Sequence, residues 1–178
     1  VTTFALKDLL VVPLIRQSTV VGVLHFDDTT RAGPITPDQV VLARTLATQV
    51  ALAIDNARLY AAAHARLAQA QGQLEIAGSL NSSLELPELL GAIARQAARA
   101  CGMDRCSIYL LEDDRVVPTM SQYADGRVDR ELWRRFKGLG RMRAEEIPFV
   151  AETVRRGGPV VFLDPYADPL VPQSMRVF

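Results

Sequence analysis

The stretch from Pro37 to Ala77 constrains the fold of this chain more than any other feature, because its pattern predicts one long helix. Thr36 is a good N-cap, Pro37 suits the first helical position, and Gln39 completes a capping box. No further proline and only one glycine, Gly72, interrupt the stretch. A straight helix of this length would span about 60 Å, more than the diameter of a small domain. The helix therefore either holds the segments on its two sides apart or folds them together.

Two apolar stripes follow this predicted helix. The first is broad enough to cover a sheet and consists of Val40, Leu42, Leu46, Val50, Ile54 and Ala57. The second has the 4-3-4-3 spacing of a coiled coil and consists of Ala53, Ala57, Tyr60, His64, Leu67, Gln71 and Leu74. His64 and Gln71 place polar groups in that seam. We expect the helix to pack first on its own domain and then on a partner helix; the alternative is a solvated, alanine-rich linker.

Composition narrows the class of protein. The 178 residues allow one or two domains, and 20 basic residues balance 20 acidic ones, which argues against a nucleic-acid-binding surface. No apolar run is long enough to cross a membrane, and the segment beginning at Val1 does not resemble a signal peptide. The spacing of Cys101 and Cys106 fits neither a zinc site nor a disulfide framework. A cytoplasmic fragment cut from a longer protein is the expected setting.

The segments on both sides of the helix predict strands. A hairpin is expected over residues 6–27, and its strands are apolar at both parities, which is typical of a sheet covered on both faces. Gly22 within it indicates a close approach by another backbone. After a polar break at Gly78 to Ser83, the remaining predicted elements are a helix at 87–100, strands at 106–111 and 116–123, short helices at 130–136 and 149–156, and a strand at 159–163.

These segments carry the resemblance to a known family. Leu9 to Ile15, Val20 to Leu24 and the helix start at Ile35-Thr36-Pro37-Asp38 resemble the second half of a GAF domain. Leu84 to Leu111 resembles the first half, as does the stretch from Val154 to Val161 with Asp164, Tyr166 and Asp168-Pro169 after it. The order of the two halves is reversed here. The resemblance implies three parts: residues 1–60 from the end of one GAF domain, a linker at 61–83, and residues 84–178 from the beginning of the next.

The resemblance implies an α+β fold with a PAS-like, antiparallel, five-stranded sheet and helices on both faces, its parts in permuted order. The strands should lie in the order 116–123, 106–112, 20–27, 9–15, 159–163. If the long helix is straight, an exchanged homodimer completes each sheet; if it turns back, one chain closes its own domain. We favour the exchange, since glycine costs a helix only about 1 kcal/mol.

GAF domains usually sense or transmit signals, in histidine kinases, phosphodiesterases, cyclases and transcription regulators, and few are enzymes. We therefore expect a non-catalytic regulatory module that senses a small ligand or relays a signal through its long helix. The alternatives are a methionine sulfoxide reductase and a pure dimerisation scaffold. By the family layout, the candidate ligand-binding residues are Tyr123, Phe149, Phe162, Asp164, Tyr166 and Met175. The sequence names no ligand or cofactor.

Narrower ligand classes have weak support in the sequence. The cyclic-nucleotide signature of some GAF domains keeps only Asp38 here, which helix capping explains. The stretch after Tyr166 resembles a bilin-contacting segment, but the attachment cysteine is missing. His25 is expected to be hydrogen-bonded or exposed rather than a heme ligand, and His64 to be a linker residue. Cys101 and Cys106 fit small buried apolar positions.

Overall fold

The computed structural model describes residues 7–29, 33–70 and 78–171. Within these ranges the strands are β1 (Asp8–Arg16), β2 (Thr19–Asp28), β3 (Arg105–Glu112), β4 (Arg115–Tyr123), β5 (Met142–Arg143) and β6 (Val160–Phe162). The helices are α1 (Pro37–Ala70), α2 (Gly78–Cys101), α3 (Arg130–Gly138) and α4 (Pro148–Arg156), with a 3₁₀ turn at Ala144–Glu146. No helix in the described ranges is long and apolar enough to cross a membrane.

All six strands form one antiparallel sheet in the order β5-β4-β3-β2-β1-β6. The five strands expected from the sequence lie in the predicted order, but the sheet has a sixth strand that was not predicted. This additional strand, β5, consists of two residues that pair with Arg115 and Val116, too few to produce a periodic pattern. The predicted pairing of β2 with β3 is present, from Gly22 opposite Leu110 to Asp27 opposite Arg105.

Each face of the sheet packs against a pair of helices. On one face α1 and α2 enclose a core that includes Leu10, Leu24, Phe26, Val50, Ile54, Leu90 and Ile108. On the other face α3 and α4 cover a second core that includes Leu9, Val11, Val23, Tyr109, Phe136 and Phe149. The two-sided cover explains why β1 and β2 are apolar at both parities. The fold is therefore α+β with helices on both faces.

The turn of the first hairpin has only two residues. Gln17 and Ser18 have φ angles of 44° and 67°. Positive φ at both central positions is the type I′ geometry, whose twist matches that of the two strands. The hairpin strands are each slightly longer than expected from the apolar runs alone.

The predicted start of α1 is confirmed. The Thr36 amide donates to Gln39 Oε1 at 2.9 Å, and the Gln39 amide donates to Thr36 Oγ1 at 3.3 Å, which is a capping box. Gln39 also donates from Nε2 to the carbonyl of Cys101 at 2.6 Å. This bond joins the beginning of α1 to the end of α2, so the two helices run antiparallel.

The break expected at Gly78 to Ser83 is wrong, because α2 begins at Gly78 and continues through Pro87 to Cys101. The predicted helix at 87–100 is only its later part. Glycine and serine cost a helix at most about 1 kcal/mol each, and the burial of Leu90 and Ala94 against the sheet outweighs such terms. The predicted end of the long helix falls in residues 71–77, outside the described ranges.

Because α2 returns along α1, the hairpin of one chain reaches the later strands of the same chain without exchange between two chains. This return brings β3 beside β2 of the same chain, so the chain closes its own sheet, as in the folded-back alternative. The predicted coiled-coil seam has Tyr60 and His64 exposed and Ala53 and Ala57 half-buried. Leu67, Gln71 and Leu74, the other members of that seam, lie outside the described side chains. Pairing with a second chain stays a prediction.

Candidate functional site

The sheet face under α3 and α4 carries polar side chains among apolar ones. They lie directly opposite one another in β2, β3 and β4, so they form two rows across the strands. We call them the polar rows. The first row consists of Asp27, Arg105 and Tyr123, and the second of His25, Ser107 and Ser121. Buried polar groups are costly unless partnered, so two such rows in a core require a structural or functional reason.

An ion pair begins the first row. Arg105 Nε donates to both carboxylate oxygens of Asp27 at 2.9 Å, and Nη2 donates to Oδ2 at 2.7 Å. The two side chains are only 4% and 3% exposed. Burial opposes the charge of Arg105, but the carboxylate of Asp27 outweighs it and holds the pKa of Arg105 above its ordinary value. Burial raises the pKa of Asp27 against the opposing pull of Arg105.

Tyr123 ends this row under two cations. The guanidinium carbons of Arg105 and Arg127 lie 5.7 and 3.9 Å from the centre of its ring. Arg127 also pairs with Asp125 at 3.6 Å, where both side chains are more than half exposed. The tyrosine ring thus connects the buried ion pair with an arginine at the surface.

His25 begins the second row and is the least satisfied polar group of the site. It is 6% exposed, and neither ring nitrogen has a hydrogen-bond partner in the described part of the chain. The rings of Tyr109 and Phe149 lie 6.0 and 5.5 Å away. Burial, with a smaller effect from the charge of Arg105, lowers the pKa of His25 to about 3. The imidazole is therefore neutral at pH 7.

The second row continues to the edge of the sheet through two hydroxyl groups. Ser107 Oγ and Ser121 Oγ lie 2.9 Å apart and share a hydrogen bond. Ser121 belongs to β4, as Tyr123 does. Both polar rows therefore end on the same strand, two residues apart.

A cavity of about 230 Å³ lies where the rows end. Because β5 pairs only with the first two residues of β4, residues 117–123 have no strand on their outer side in the described ranges. We call the space between this open edge and α3 the edge cavity. Its lining residues are Met120, Ser121, Gln122, Tyr123, Arg127, Val128, Asp129, Leu132 and Trp133.

An N-cap fixes where α3 begins, and two contacts hold the helix over the edge cavity. Asp129 is the N-cap of α3, and its Oδ1 accepts from the amides of Glu131 and Leu132 at 3.0 and 2.9 Å. Lys137 Nζ donates to the carbonyl oxygens of Pro118 and Thr119 at 3.0 and 3.3 Å, on the open edge of β4. Phe136 is buried against Tyr109, with the ring centres 5.1 Å apart. Lys137 and Phe136 thus fix the last turn of α3 to the sheet, and Trp133 lies one turn before Lys137.

The turn after β4 connects the edge cavity to the two long helices. The amide of Ala124 donates to the carbonyl of Asp104 at 2.8 Å, and Arg99 Nε donates to the carbonyl of Ala124. Arg99 belongs to the last turn of α2, whose final carbonyl is bound by Gln39 of α1. A displacement at the cavity therefore has a hydrogen-bonded route to both helices.

A second groove, of about 290 Å³, lies between the end of β1, α1 and the segment before β6. Its threonine hydroxyls are already bonded within α1, since Thr45 and Thr48 donate to the carbonyls of Val41 and Arg44 at 3.1 Å. Among the residues that the structure describes, no buried polar row leads to this groove. The edge cavity is therefore the better candidate for a functional site.

A known protein family matches part of the chain. The family model of the GAF domain matches residues 2–56. This part of the chain is similar to the GAF domain family. No solved structure matches the chain. The GAF segment supplies β1, β2 and the first half of α1, and with them His25 and Asp27 of the polar rows.

The residues predicted from the GAF layout fall into different environments. Tyr123 lines the edge cavity. Phe149 packs against His25, and Phe162 packs edge-on against Phe149 with the ring centres 6.5 Å apart, so both belong to the core. Asp164 is exposed and accepts from the amides of Tyr166 and Ala167 at 3.1 Å, which closes a turn.

Tyr166 is half-buried in that turn, and neither it nor Asp164 lines the edge cavity. Met175 lies outside the described residues. The structure therefore brings Tyr123 to the cavity and Phe149 to the polar rows, and it keeps the other described candidates away from the cavity.

Sequence reasoning missed most of the site. Asp27 and Arg105 are charged residues at the ends of apolar strands, and the predicted pairing of those strands contained the information that they meet. Ser121, Arg127 and Trp133 gave no such signal, because their proximity depends on where α3 crosses the edge of β4.

The cysteines lie away from the polar rows, in the core under α1 and α2. Burial raises the pKa of Cys101 to about 11 and the pKa of Cys106 well above its ordinary value. Such thiols hold little of the reactive thiolate form. Among the described residues no group of three or more histidine, cysteine, aspartate or glutamate side chains is arranged to hold a metal ion.

Proposed function

We propose that the chain is a sensory or regulatory GAF module that binds a small ligand in the edge cavity and relays the binding to α1 and α2. One observation carries the proposal: two buried polar rows lead across the sheet and end on the residues that line the cavity. Pockets of this kind combine apolar walls with a few convergent polar groups. The full GAF assignment, with residues 84–178 as the first half of a domain in permuted order, is part of this proposal.

The relay follows the hydrogen bonds of the turn after β4. A ligand that moves Tyr123 or Arg127 also moves Ala124, which is bonded to Asp104 and Arg99 at the end of α2. The bond from Gln39 to Cys101 passes the displacement to α1. A ligand shifts such an equilibrium only by the difference in its affinity for the two arrangements. The output domain would be joined to these helices in the parent protein.

We also propose that the module has no catalytic activity of its own. A sulfoxide reductase needs a reactive thiolate at the pocket, whereas both cysteines are buried on the other face with raised pKa values. Reduction of methionine sulfoxide that is lost on Cys101→Ala or Cys106→Ala would contradict this part of the proposal.

Dimerisation is the remaining part of the proposal. On α1, Leu52, Leu59 and Tyr60 are 64%, 68% and 71% exposed. Leu52 and Leu59 are seven residues apart, which is the heptad spacing by which one helix packs against another, and α1 of a second copy carries the same spacing. We therefore propose a homodimer through α1, in which each chain closes its own sheet.

The test of ligand binding is native mass spectrometry of the chain purified from its own host. Leu132→Trp fills the edge cavity, and Leu89→Trp places the same group on the exposed face of α2 as a matched control. We expect a bound small molecule on the original chain and on Leu89→Trp, and its loss from Leu132→Trp. An empty chain would favour the dimerisation scaffold, and a molecule retained by Leu132→Trp would place the ligand elsewhere.

A further inference from the structure

We infer that the edge cavity selects a small carboxylate with an aromatic or apolar body, and that Arg127 binds its carboxylate. The inference rests on the proposed ligand-binding function and adds the chemical class of the ligand. It follows from the walls of the cavity, from the charges around it and from the way in which Arg127 is held.

The walls of the cavity fit a single ring. Met120, Val128, Leu132 and the rings of Tyr123 and Trp133 supply apolar surface. The polar groups among the lining residues are Ser121, Gln122, Arg127 and Asp129. Its volume of about 230 Å³ is below the range of about 300–1,000 Å³ that is usual for drug-sized ligands, so a ligand with a single ring fits it better than a nucleotide does.

The charges around the cavity favour an anion. Arg127 is the one basic side chain among the described residues that line the cavity. Arg95 and Arg99 of α2 reach the same turn, at Gly126 and Ala124. Among the described lining residues the one acidic side chain is Asp129, and its Oδ1 already accepts hydrogen bonds from two amides in the first turn of α3. The other nearby carboxylate, Asp125, is exposed and shares Arg127 at 3.6 Å.

Arg127 is held in a way that leaves its donors available. The guanidinium carbon lies 3.9 Å from the centre of the Tyr123 ring, so it is the side chain's cationic centre that contacts the ring. Stacking on an aromatic ring and forked hydrogen bonding to a carboxylate are compatible in arginine, because its N–H groups lie in the plane of the guanidinium. An exposed pair such as Arg127–Asp125 contributes little, so a ligand carboxylate can replace Asp125 at small cost.

The chain contains a single tryptophan, Trp133, and this residue lines the cavity. Its fluorescence therefore reports directly on occupancy. We would titrate the full chain with phenylacetate, phenylacetamide and phenethylammonium, which share one ring and nearly one size but carry negative, zero and positive charge. We expect saturable binding of phenylacetate that is about tenfold tighter than that of the amide, and weaker binding still of the cation.

Two variants test whether Arg127 causes the preference for the carboxylate. Arg127→Gln should reduce the affinity for phenylacetate to that of phenylacetamide, whereas Arg134→Gln, an exposed arginine of α3 that does not line the cavity, should leave the ratio unchanged. Equal binding of acid and amide, no binding of the acid, or the same ratio in Arg127→Gln would each overturn the inference. So would an equal loss in Arg134→Gln. A host molecule found in the cavity by mass spectrometry would in those cases still support the proposed function, so the two failures are distinguishable.

Discussion

The carbonyl oxygen of Tyr109 lies so close to Gly22 that a β-carbon added to Gly22 would overlap this oxygen. The two residues belong to β3 and β2, and the Leu110 α-carbon would also be only 3.2 Å away. Backbone atoms cannot rotate aside as a side chain does. Gly22→Ala should therefore lower the free energy of unfolding by about 2 kcal/mol, as overpacking does in other cores.

Gly91→Ala is the matched control for this substitution. Its β-carbon would meet only the ends of the Gln122 and Met120 side chains, at 3.6–3.8 Å, and alanine favours the helix over glycine by about 1 kcal/mol. Urea denaturation of both variants measures the difference. Equal stability of the two would show that β2 and β3 are not as close as described.

The buried pair of Asp27 and Arg105 should be costly to break from one side. Asp27→Leu removes the carboxylate that accepts three hydrogen bonds from the buried Arg105, so we expect a loss of about 3–5 kcal/mol in the free energy of unfolding. The double variant Asp27→Leu, Arg105→Met removes both charges and should lose less than the single variant. Asp55→Leu breaks the exposed 2.9 Å pair with Arg16 and should cost less than about 1 kcal/mol. Denaturation at neutral pH checks all three, and a double variant less stable than the single one would contradict the expectation.

His25 should make the fold sensitive to acid. Its pKa is about 3 in the folded chain against an ordinary value of 6.5, so below about pH 6.5 the unfolded chain binds a proton that the folded chain does not. Stability therefore falls as pH decreases through this window. Between about pH 7.5 and pH 5 the loss from this one group should be about 2 kcal/mol.

The chain has two histidines, which provides the control for that measurement. His25→Leu should remove most of the loss between the two pH values, whatever its effect on absolute stability. His64→Gln, on the exposed side of α1, should leave it unchanged. If His25→Leu retains the full pH dependence, the imidazole is not neutral and buried in solution.

Dimerisation through α1 predicts that a charge on its exposed face separates the chains. Leu59→Lys should shift sedimentation at micromolar concentration from dimer to monomer, while Leu163→Lys, which is 61% exposed outside α1, should not. The melting temperature of the original chain should rise with its concentration, because a partner that binds only the folded state stabilises it by mass action. A cooperative melt that stays independent of concentration in a monomeric chain would exclude both the dimer and the exchange.

Much of the fold was predictable, because burial on both faces leaves a strong mark on the strands. The apolar runs predicted five strands, and the GAF resemblance implied their order. The capping box at Thr36 and Gln39 followed from local chemistry. The two residues of β5 and the start of α2 at Gly78 could not be predicted, since tertiary packing decided them against weak local preferences. The same holds for the candidate site: Arg127 and Trp133 line one cavity only because Lys137 holds α3 across the edge of β4.

The pairing of β2 with β3 also affects how the chain folds. Asp27 and Arg105 are 78 residues apart, and both long helices lie between them in sequence. Closing so large a loop is slow compared with forming a hairpin, and sheets that depend on distant partners fold more slowly than those built from neighbours. During synthesis the first hairpin would leave the ribosome well before β3 exists, with one side of β2 unpaired. Until then that side can bind other strands, so aggregation should compete with folding most strongly in this interval.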